Sequence, residues 1–283
     1  MSIRKFRFAA SGRNRTETLA QLKDYARRVE DAGYDVLLLS DHFHEGLAAF
    51  QALAVAAQVT TKLKFGTLTA ANDLRHPALL AKDTATLDIL SERRLELGIG
   101  SGSMDSDNRM AGLPIDPPGV RVERLAETLK ILKAYYEQGP KVNFQGKHYQ
   151  LTDFAAYPPG FTKPRPKILV GARGPRMLRL AAREADIISI MAGPLAEKRD
   201  IIREAAGARY SQIELNVLAT RIQVDGKPDA PSNFPGGEGL IGSRDQVIEQ
   251  LLKQREESDV SYIAVGALAM EAMAPVVAKL SGQ

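Results

Sequence analysis

Three side chains capable of acid–base or metal chemistry follow one apolar segment. The run DVLLLSD (residues 35–41) is apolar on both faces, as a buried parallel strand is, and His42 and His44 come directly after it. A histidine at a strand end can serve as a general acid or base, and Asp41 would then orient His42. The plain alternative is a local cap or ion pair of Asp41 beside an ordinary exposed histidine.

The spacing of His42 and His44 also fits a metal-dependent hydrolase, in which two imidazoles bind zinc. Such a site needs further ligands at later strand ends. The two remaining histidines are His76, which precedes a proline that begins a helix, and His148, which lies in a proline-rich segment. The chain has no cysteine, so thiolate ligands, disulfides and cysteine nucleophiles are excluded. We therefore expect no metal.

Polar groups also end the next apolar segment, residues 63–70. Thr67, Thr69 and Asn72 would lie at the same edge as His42, where hydroxyl and amide groups suit the polar edge of a bound ring. Turn formation around Asn72 and Asp73, ahead of a helix, explains the same residues equally well.

A glycine-rich loop follows the fourth apolar segment. In the run GIGSGSMDSD (residues 98–107), glycines let the backbone approach a ligand closely and present its N–H groups. The run is not a dinucleotide-binding motif, because no helix begins immediately after it.

One arginine lies where an anion could bind. Arg173 is flanked by Gly171 and Gly174 and stands at the start of a predicted helix, where free N–H groups and the guanidinium could converge on a phosphate. A simple turn is the alternative.

The elements that position these residues alternate between short apolar runs and longer amphipathic stretches. Strands are predicted at residues 3–10, 35–41, 63–70, 94–100, 167–171, 186–191, 214–224 and 261–268. Helices are predicted at residues 16–32, 47–60, 77–90, 122–138, 175–184, 196–210, 244–257 and 271–280. Eight such units in 283 residues predict an α/β fold, a (β/α)₈ TIM barrel, whose site residues stand at the carboxyl ends of the strands.

Two segments interrupt the alternation of predicted strands and helices. Residues 139–166 form a proline-rich excursion with a small hairpin around Gly146, and residues 225–239 form a Gly/Pro loop that we expect to be mobile. We expect one domain over residues 1–283.

Composition narrows the class of protein. The chain is 44% hydrophobic and 25% charged, which is typical of a soluble globular protein. Its net charge of +4 is spread along the chain, so we expect no nucleic-acid partner. No apolar stretch reaches membrane-spanning length, so we expect no membrane association and a cytoplasmic location.

Several long motifs, in order, resemble the luciferase-like monooxygenase superfamily, and in particular its branch of oxidoreductases that use the deazaflavin coenzyme F420. The motifs are EDAGYDVLLLSDHF, LRHPALLAKDTATLDILSERRLELGIGSG, GVRVERLAETLKILK, PRPKILVGARGPRMLRLAAREADIISI and GLIGSRDQVIEQL. FMN-dependent relatives share the barrel and much of this pattern.

The resemblance implies a barrel, usually a homodimer, with the cofactor ring seated in the barrel mouth. In similar enzymes the Asp-His pair after strand two meets the cofactor and the substrate, which implies a catalytic His42 with Asp41. Relatives carry a non-proline cis peptide in strand three, here near Thr67 to Ala70. The implied cofactor-binding residues are Asp41, His42, Thr67, Leu68, Thr69, Asn72, Gly100, Ser101, Gly102, Ser103, Ser106, Gly171, Ala172, Arg173, Gly174 and Met191. Sugar-phosphate oxidising relatives have a proton-donating Glu where this chain has Ser103, with Asp105 and Asp107 nearby.

The resemblance therefore indicates an oxidoreductase that transfers a hydride between F420 and a small organic substrate, with an F420 or flavin reductase as a partner that supplies reduced cofactor. An FMN-dependent two-component monooxygenase is the alternative enzyme. A protein that holds flavin or deazaflavin without turnover is the alternative from another class.

Overall fold

The fold is a closed parallel barrel surrounded by helices. A computed structural model describes residues 4–12, 18–102, 104–137, 141–155, 157–228 and 239–283. In chain order the strands are β1 Arg7–Gly12, β2 Val36–Leu39, β3 Lys64–Thr67, β4 Ala70–Ala71, β5 Leu95–Gly100, β6 Val142–Gln145, β7 Gln150–Phe154, β8 Lys167–Ala172, β9 Ile187–Ile190, β10 Glu214–Ala219, β11 Ile222–Val224, β12 Lys227–Pro228, β13 Leu240–Gly242 and β14 Val260–Gly266.

The helices pack outside the barrel. They are α1 Leu19–Asp31, α2 Ala49–Ala57, α3 Pro77–Leu90, α4 Asp105–Met110, α5 Pro118–Glu137, α6 Pro175–Glu184, α7 Leu195–Ala206, α8 Arg244–Ser258 and α9 Met270–Leu280, with 3₁₀ turns at Asn72–Leu74, Gly207–Gln212 and Ala267–Ala269. No helix in these described ranges has both the length and the apolarity needed to cross a membrane.

Eight parallel strands close the barrel in the order β1, β2, β3, β5, β8, β9, β10 and β14, and β14 pairs with β1. The predicted TIM barrel is confirmed. Side chains alternate between two apolar layers, as the pleat requires. Phe8 and Leu37 face the helices, whereas Ala9, Leu38 and Tyr262 fill the barrel interior.

Charged side chains fill the amino-terminal end of the barrel. Arg7 contacts Glu96 at 2.6 Å and Glu214 at 2.7 Å, and its guanidinium lies 4.5 Å from the ring centroid of Tyr262. Burial disfavours the charged guanidinium, but Glu96, Tyr262 and Glu214 together outweigh that effect and raise the pKa of Arg7. This end is therefore closed by an ion-pair network.

The predicted boundaries need several corrections. The strand predicted at residues 214–224 is two strands: β10 stays in the barrel, while β11 pairs with β12 and β13 in a separate small sheet. The neighbours of β10 end at Ile190 and Gly266, so residues beyond Ala219 have no barrel partner. Of the predicted mobile loop at residues 225–239, residues 229–238 lie outside the described part of the chain.

The end of one predicted helix and the structure of one predicted loop also need correction. The helix predicted to residue 210 ends at Ala206, because Gly207 takes a positive φ of 53°. The loop after β5, for which no helix is predicted, contains the short helix α4. Asp105 and Asp107 lie in its first turn, where the helix dipole stabilises negative charge. The hairpin around Gly146 is confirmed as the antiparallel pair β6 and β7.

Candidate active site

The predicted site residues come from neighbouring strand ends of one barrel mouth. Because all eight barrel strands are parallel, their carboxyl ends share one edge. Asp41 and His42 follow β2, Asn72 follows β4, Gly100 ends β5, and Arg173 follows β8. Met191 follows β9, and its N–H donates to Ala172 O at 2.9 Å.

Asp41 is bound on both oxygens by an arginine that sequence reasoning missed. Arg75 Nη2 donates to Asp41 Oδ1 at 3.0 Å and Nη1 donates to Oδ2, while the Ala71 N–H reaches Oδ2 at 3.3 Å. The Arg75 guanidinium also lies 5.0 Å from the ring centroid of Phe50. Asp41 therefore ties the end of β2 to the segment after β4.

His42 has a different carboxylate partner. Its Nδ1 lies 2.6 Å from Asp107 Oδ2, on helix α4, and the Phe43 N–H donates to Asp107 Oδ1 at 3.4 Å. The rings of His42 and His44 are stacked with centroids 5.6 Å apart. The Asp107 side chain is only 4% exposed, so this contact is shielded from water.

The chain bends at the end of β3, at residues 68–69, and packs closely on β5. The peptide between Leu68 and Thr69 is cis, as the family resemblance predicted for this stretch. Thr67 Oγ1 donates to Gly98 O. A Cβ on Gly98 would overlap the Thr67 carbonyl, and a Cβ on Gly100 would lie 2.6 Å from Thr69 Oγ1. Glycine at these two positions of β5 is what lets the bend approach so closely.

An apolar floor lies below this bend. Leu68 and Leu218 are partly buried and pack on the barrel-interior cluster that contains Leu38, Leu169 and Tyr262. The barrel mouth thus offers apolar surface at its base and polar groups around its edge. That combination is typical of sites for small organic molecules.

Asn72 and Asp73 are buried beside the loop after β5. Asn72 is 1% exposed, and neither its amide nor its carboxylate neighbour Asp73 has a hydrogen-bond partner among the described residues. A Cβ on Gly102 would lie 2.5 Å from Asp73 Oδ2, so this carboxylate sits beneath the loop after β5. Burial raises the pKa of Asp73, although Arg124 and Arg121 partly oppose it.

The loop after β5 carries the remaining predicted polar residues. Ser101 and Gly102 are half-buried, and Ser106 lies in helix α4 beside Asp107. Asp105 contacts Arg121 at 3.3 Å, which ties α4 to α5. Ser103 lies outside the described residues.

A cationic corner adjoins the start of α6. Gly174 precedes the first helical residue, Pro175, and Arg173 is exposed beside it. Lys198 Nζ donates to Met191 O at 3.1 Å and to Ala192 O. Burial lowers the pKa of Lys198, and the charge of Arg173 lowers it further. Both cations lie at the carboxyl ends of neighbouring strands, so the charge of each would favour an anion bound at this corner.

The other two histidines have contacts elsewhere. His76 caps α3 by accepting from the Ala78 N–H at 3.2 Å, and His148 lies 3.3 Å from Glu123. In the described part of the chain, no three His, Asp or Glu side chains converge as metal ligands would.

Sequence reasoning missed three residues at this mouth: Arg75, Asp107 and Lys198. The sequence shows only that Asp107 is close to Ser103, because its contact with His42 joins residues 65 apart in sequence. Arg75 precedes helix α3 and Lys198 lies in helix α7. In the sequence, both look like ordinary solvent-exposed basic residues. No local pattern therefore marks these three residues.

Comparison with known proteins identifies a family and several relatives that this chain resembles. The family model described as luciferase-like monooxygenase matches residues 3–224. The F420-dependent glucose-6-phosphate dehydrogenase of Amycolatopsis mediterranei (strain U-32) is 34% identical over 173 residues, which are 58% of this chain and 51% of that protein. The chain thus spans about half the length of the curated relatives it matches.

Solved structures share the fold over nearly the whole chain. An F420-dependent secondary alcohol dehydrogenase in complex with an F420-acetone adduct superposes with a TM-score of 0.80 at 17% identity, covering 97% of this chain and 99% of that one. A riboflavin lyase with modified FMN and riboflavin superposes with a TM-score of 0.81 at 14% identity, covering 99% and 94%. At these identities the likeness concerns the fold alone.

Proposed function

We propose that this chain, which belongs to the luciferase-like monooxygenase family, is an oxidoreductase that exchanges a hydride between coenzyme F420 and a small organic substrate. The proposal is supported by the curated F420-dependent relative and by the arrangement of the barrel mouth. The observation that carries it is the placement of His42, on its buried carboxylate partner, at the same mouth as the apolar floor and the cationic corner.

The residues of the mouth fit a planar ring with a phosphate-bearing tail. Leu68 and Leu218 provide apolar surface for the ring, and the buried Asn72 amide offers an unused donor and an unused acceptor for its polar edge. Arg173, Lys198 and the start of α6 would hold the tail, since two cations and free N–H groups favour an anion.

Bound F420 supplies hydride transfer at C5 of its deazaflavin ring. The chain's own part is to orient the reactants and to manage the accompanying proton. His42 is the residue we assign to that proton, because a histidine can accept and return one near neutral pH.

A cofactor titration tests the proposal. The purified protein is mixed with oxidised F420 and, separately, with FMN, and binding is followed by fluorescence. We expect tight binding of F420 and weak binding of FMN. Preference for FMN would instead favour a two-component monooxygenase, and binding of neither would overturn the proposal.

Catalysis is tested separately from binding. A His42→Ala variant should still bind F420 but lose activity by about 10²- to 10⁴-fold, the usual contribution of a general acid or base. If wild-type protein binds F420 but no substrate screen detects turnover, a binding protein without catalysis is the better description. A homodimer and a reductase partner stay predictions from the family resemblance.

A further inference from the structure

We propose that Asp107 is the residue that positions His42, by holding its ring with the proton on Nδ1 and leaving Nε2 for the substrate. This inference rests on the proposed function. It starts from the 2.6 Å separation of His42 Nδ1 and Asp107 Oδ2, two atoms whose side chains are 18% and 4% exposed. The contact joins the end of β2 to helix α4 in the loop after β5.

Asp107 is itself firmly placed. Its Oδ1 accepts from the Phe43 N–H at 3.4 Å, and its own N–H donates to Met104 O at 3.0 Å. Asp107 Oδ2 therefore contacts the His42 ring, while Oδ1 contacts the backbone of Phe43, the next residue. Together the two contacts fix the orientation of the imidazole relative to the backbone.

The other titratable groups near His42 make contacts elsewhere or lie beyond hydrogen-bond distance. His44 Nδ1 lies 3.7 Å from Asp107 Oδ1, beyond hydrogen-bond distance, and His44 Nε2 lies 3.8 Å from Glu45 Oε1. Asp41 is engaged by Arg75. Of the carboxylates described near this ring, Asp107 is the one within hydrogen-bond distance of a His42 ring nitrogen.

The chemical consequence concerns the tautomer of the imidazole. An ionised carboxylate only accepts hydrogen bonds, so His42 Nδ1 carries a hydrogen and Nε2 of the neutral ring has a free lone pair. Nε2 would then take the proton that leaves a substrate heteroatom, while bound F420 would supply the acceptor for the hydride from the neighbouring carbon. In the reverse reaction Nε2 would return that proton to the substrate heteroatom.

The tautomer can be measured in cofactor-free protein. Nitrogen-15 labelling of the four histidines, with side-chain NMR at a pH where the rings are neutral, distinguishes a hydrogen on Nδ1 from one on Nε2. A His42→Gln variant identifies the His42 signals. We expect the Nδ1–H form in the wild type. In Asp107→Asn we expect its loss, because the amide oxygen keeps the Phe43 N–H and the NH2 group then faces Nδ1, which must accept.

Asp105→Asn is the matched control. It removes a carboxylate from the same short helix, with a side chain that is 47% exposed and does not contact His42. This variant should keep the Nδ1–H form of His42. In steady-state assays Asp107→Asn should lower kcat by about 10²-fold with little change in KM, since it affects proton transfer more than binding.

The two proposals fail in different ways. A wild-type His42 that carries its hydrogen on Nε2, or a tautomer that Asp107→Asn leaves unchanged, overturns the positioning role, and neither result depends on activity. A tautomer that shifts as expected in a protein that neither binds nor turns over F420 supports the positioning role and overturns the proposed function.

Discussion

The carboxylate of Asp41 receives both terminal nitrogens of the Arg75 guanidinium at the barrel mouth. The pair joins the end of β2 to the segment that leads into α3, and the Asp41 side chain is 7% exposed. Two parallel contacts of this kind fix the geometry as well as the charge. The pair therefore stabilises the platform from which His42 projects.

Arg75→Met should destabilise the protein by about 3 to 5 kcal/mol, because it leaves the Asp41 carboxylate buried without its cation. Arg75→Lys should lose less, since it keeps the charge but not the two-point contact. Urea unfolding measures both. The double variant Asp41→Asn with Arg75→Met should recover part of the loss, and a double variant as unstable as Arg75→Met alone would contradict this account.

The ion-pair network at the opposite end of the barrel should be equally sensitive. Arg7→Met removes the cation shared by Glu96 and Glu214, and Glu96 is 2% exposed, so a loss of about 3 to 5 kcal/mol is expected in thermal or urea unfolding. Arg27→Met changes an exposed arginine of α1 and is the control. Equal stability of the two variants would show that the network contributes nothing.

Arg173→Ala should weaken F420 binding by roughly 1 to 3 kcal/mol if the guanidinium makes a charge-assisted contact with the tail phosphate. Arg179→Ala removes an exposed arginine farther along the same helix, α6, and should leave the dissociation constant unchanged. Fluorescence titration compares the two. An unaltered dissociation constant for Arg173→Ala would remove the phosphate assignment.

Asp73→Asn should raise thermal stability near neutral pH by a few degrees. Burial raises the pKa of Asp73, so its charged form is less favourable in the folded protein than in the unfolded chain. Its contribution to stability is therefore greatest below the unfolded pKa of about 3.9 and is lost as pH rises through the folded value.

The melting temperatures of Asp73→Asn and wild type should thus converge at acid pH and separate at pH 7. Asp24→Asn, at a side chain that is 65% exposed, serves as the control and should show no such separation. A melting temperature for Asp73→Asn below that of wild type at pH 7 would indicate that this carboxylate has a stabilising partner.

Most of the architecture was accessible from the sequence because periodicity is a local property. The bounds of α3 and α6 were predicted to the residue, since Pro77 and Pro175 mark first helical turns in sequence as well as in space. The family resemblance, stated from ordered motifs, is confirmed by the match over residues 3–224. The strand ends that carry His42 and Arg173 followed from the same alternation.

What the tertiary structure decided is which of these side chains meet. Barrel closure brings together residues far apart in the chain, so His42 contacts Asp107 across 65 positions, and Arg7 contacts Glu96 across 89. Periodicity reports the face on which a residue lies but not its partner on another element. The sequence by itself thus determined the barrel and the strand ends that carry His42 and Arg173, and only the fold assigned Arg75 to Asp41 and Asp107 to His42.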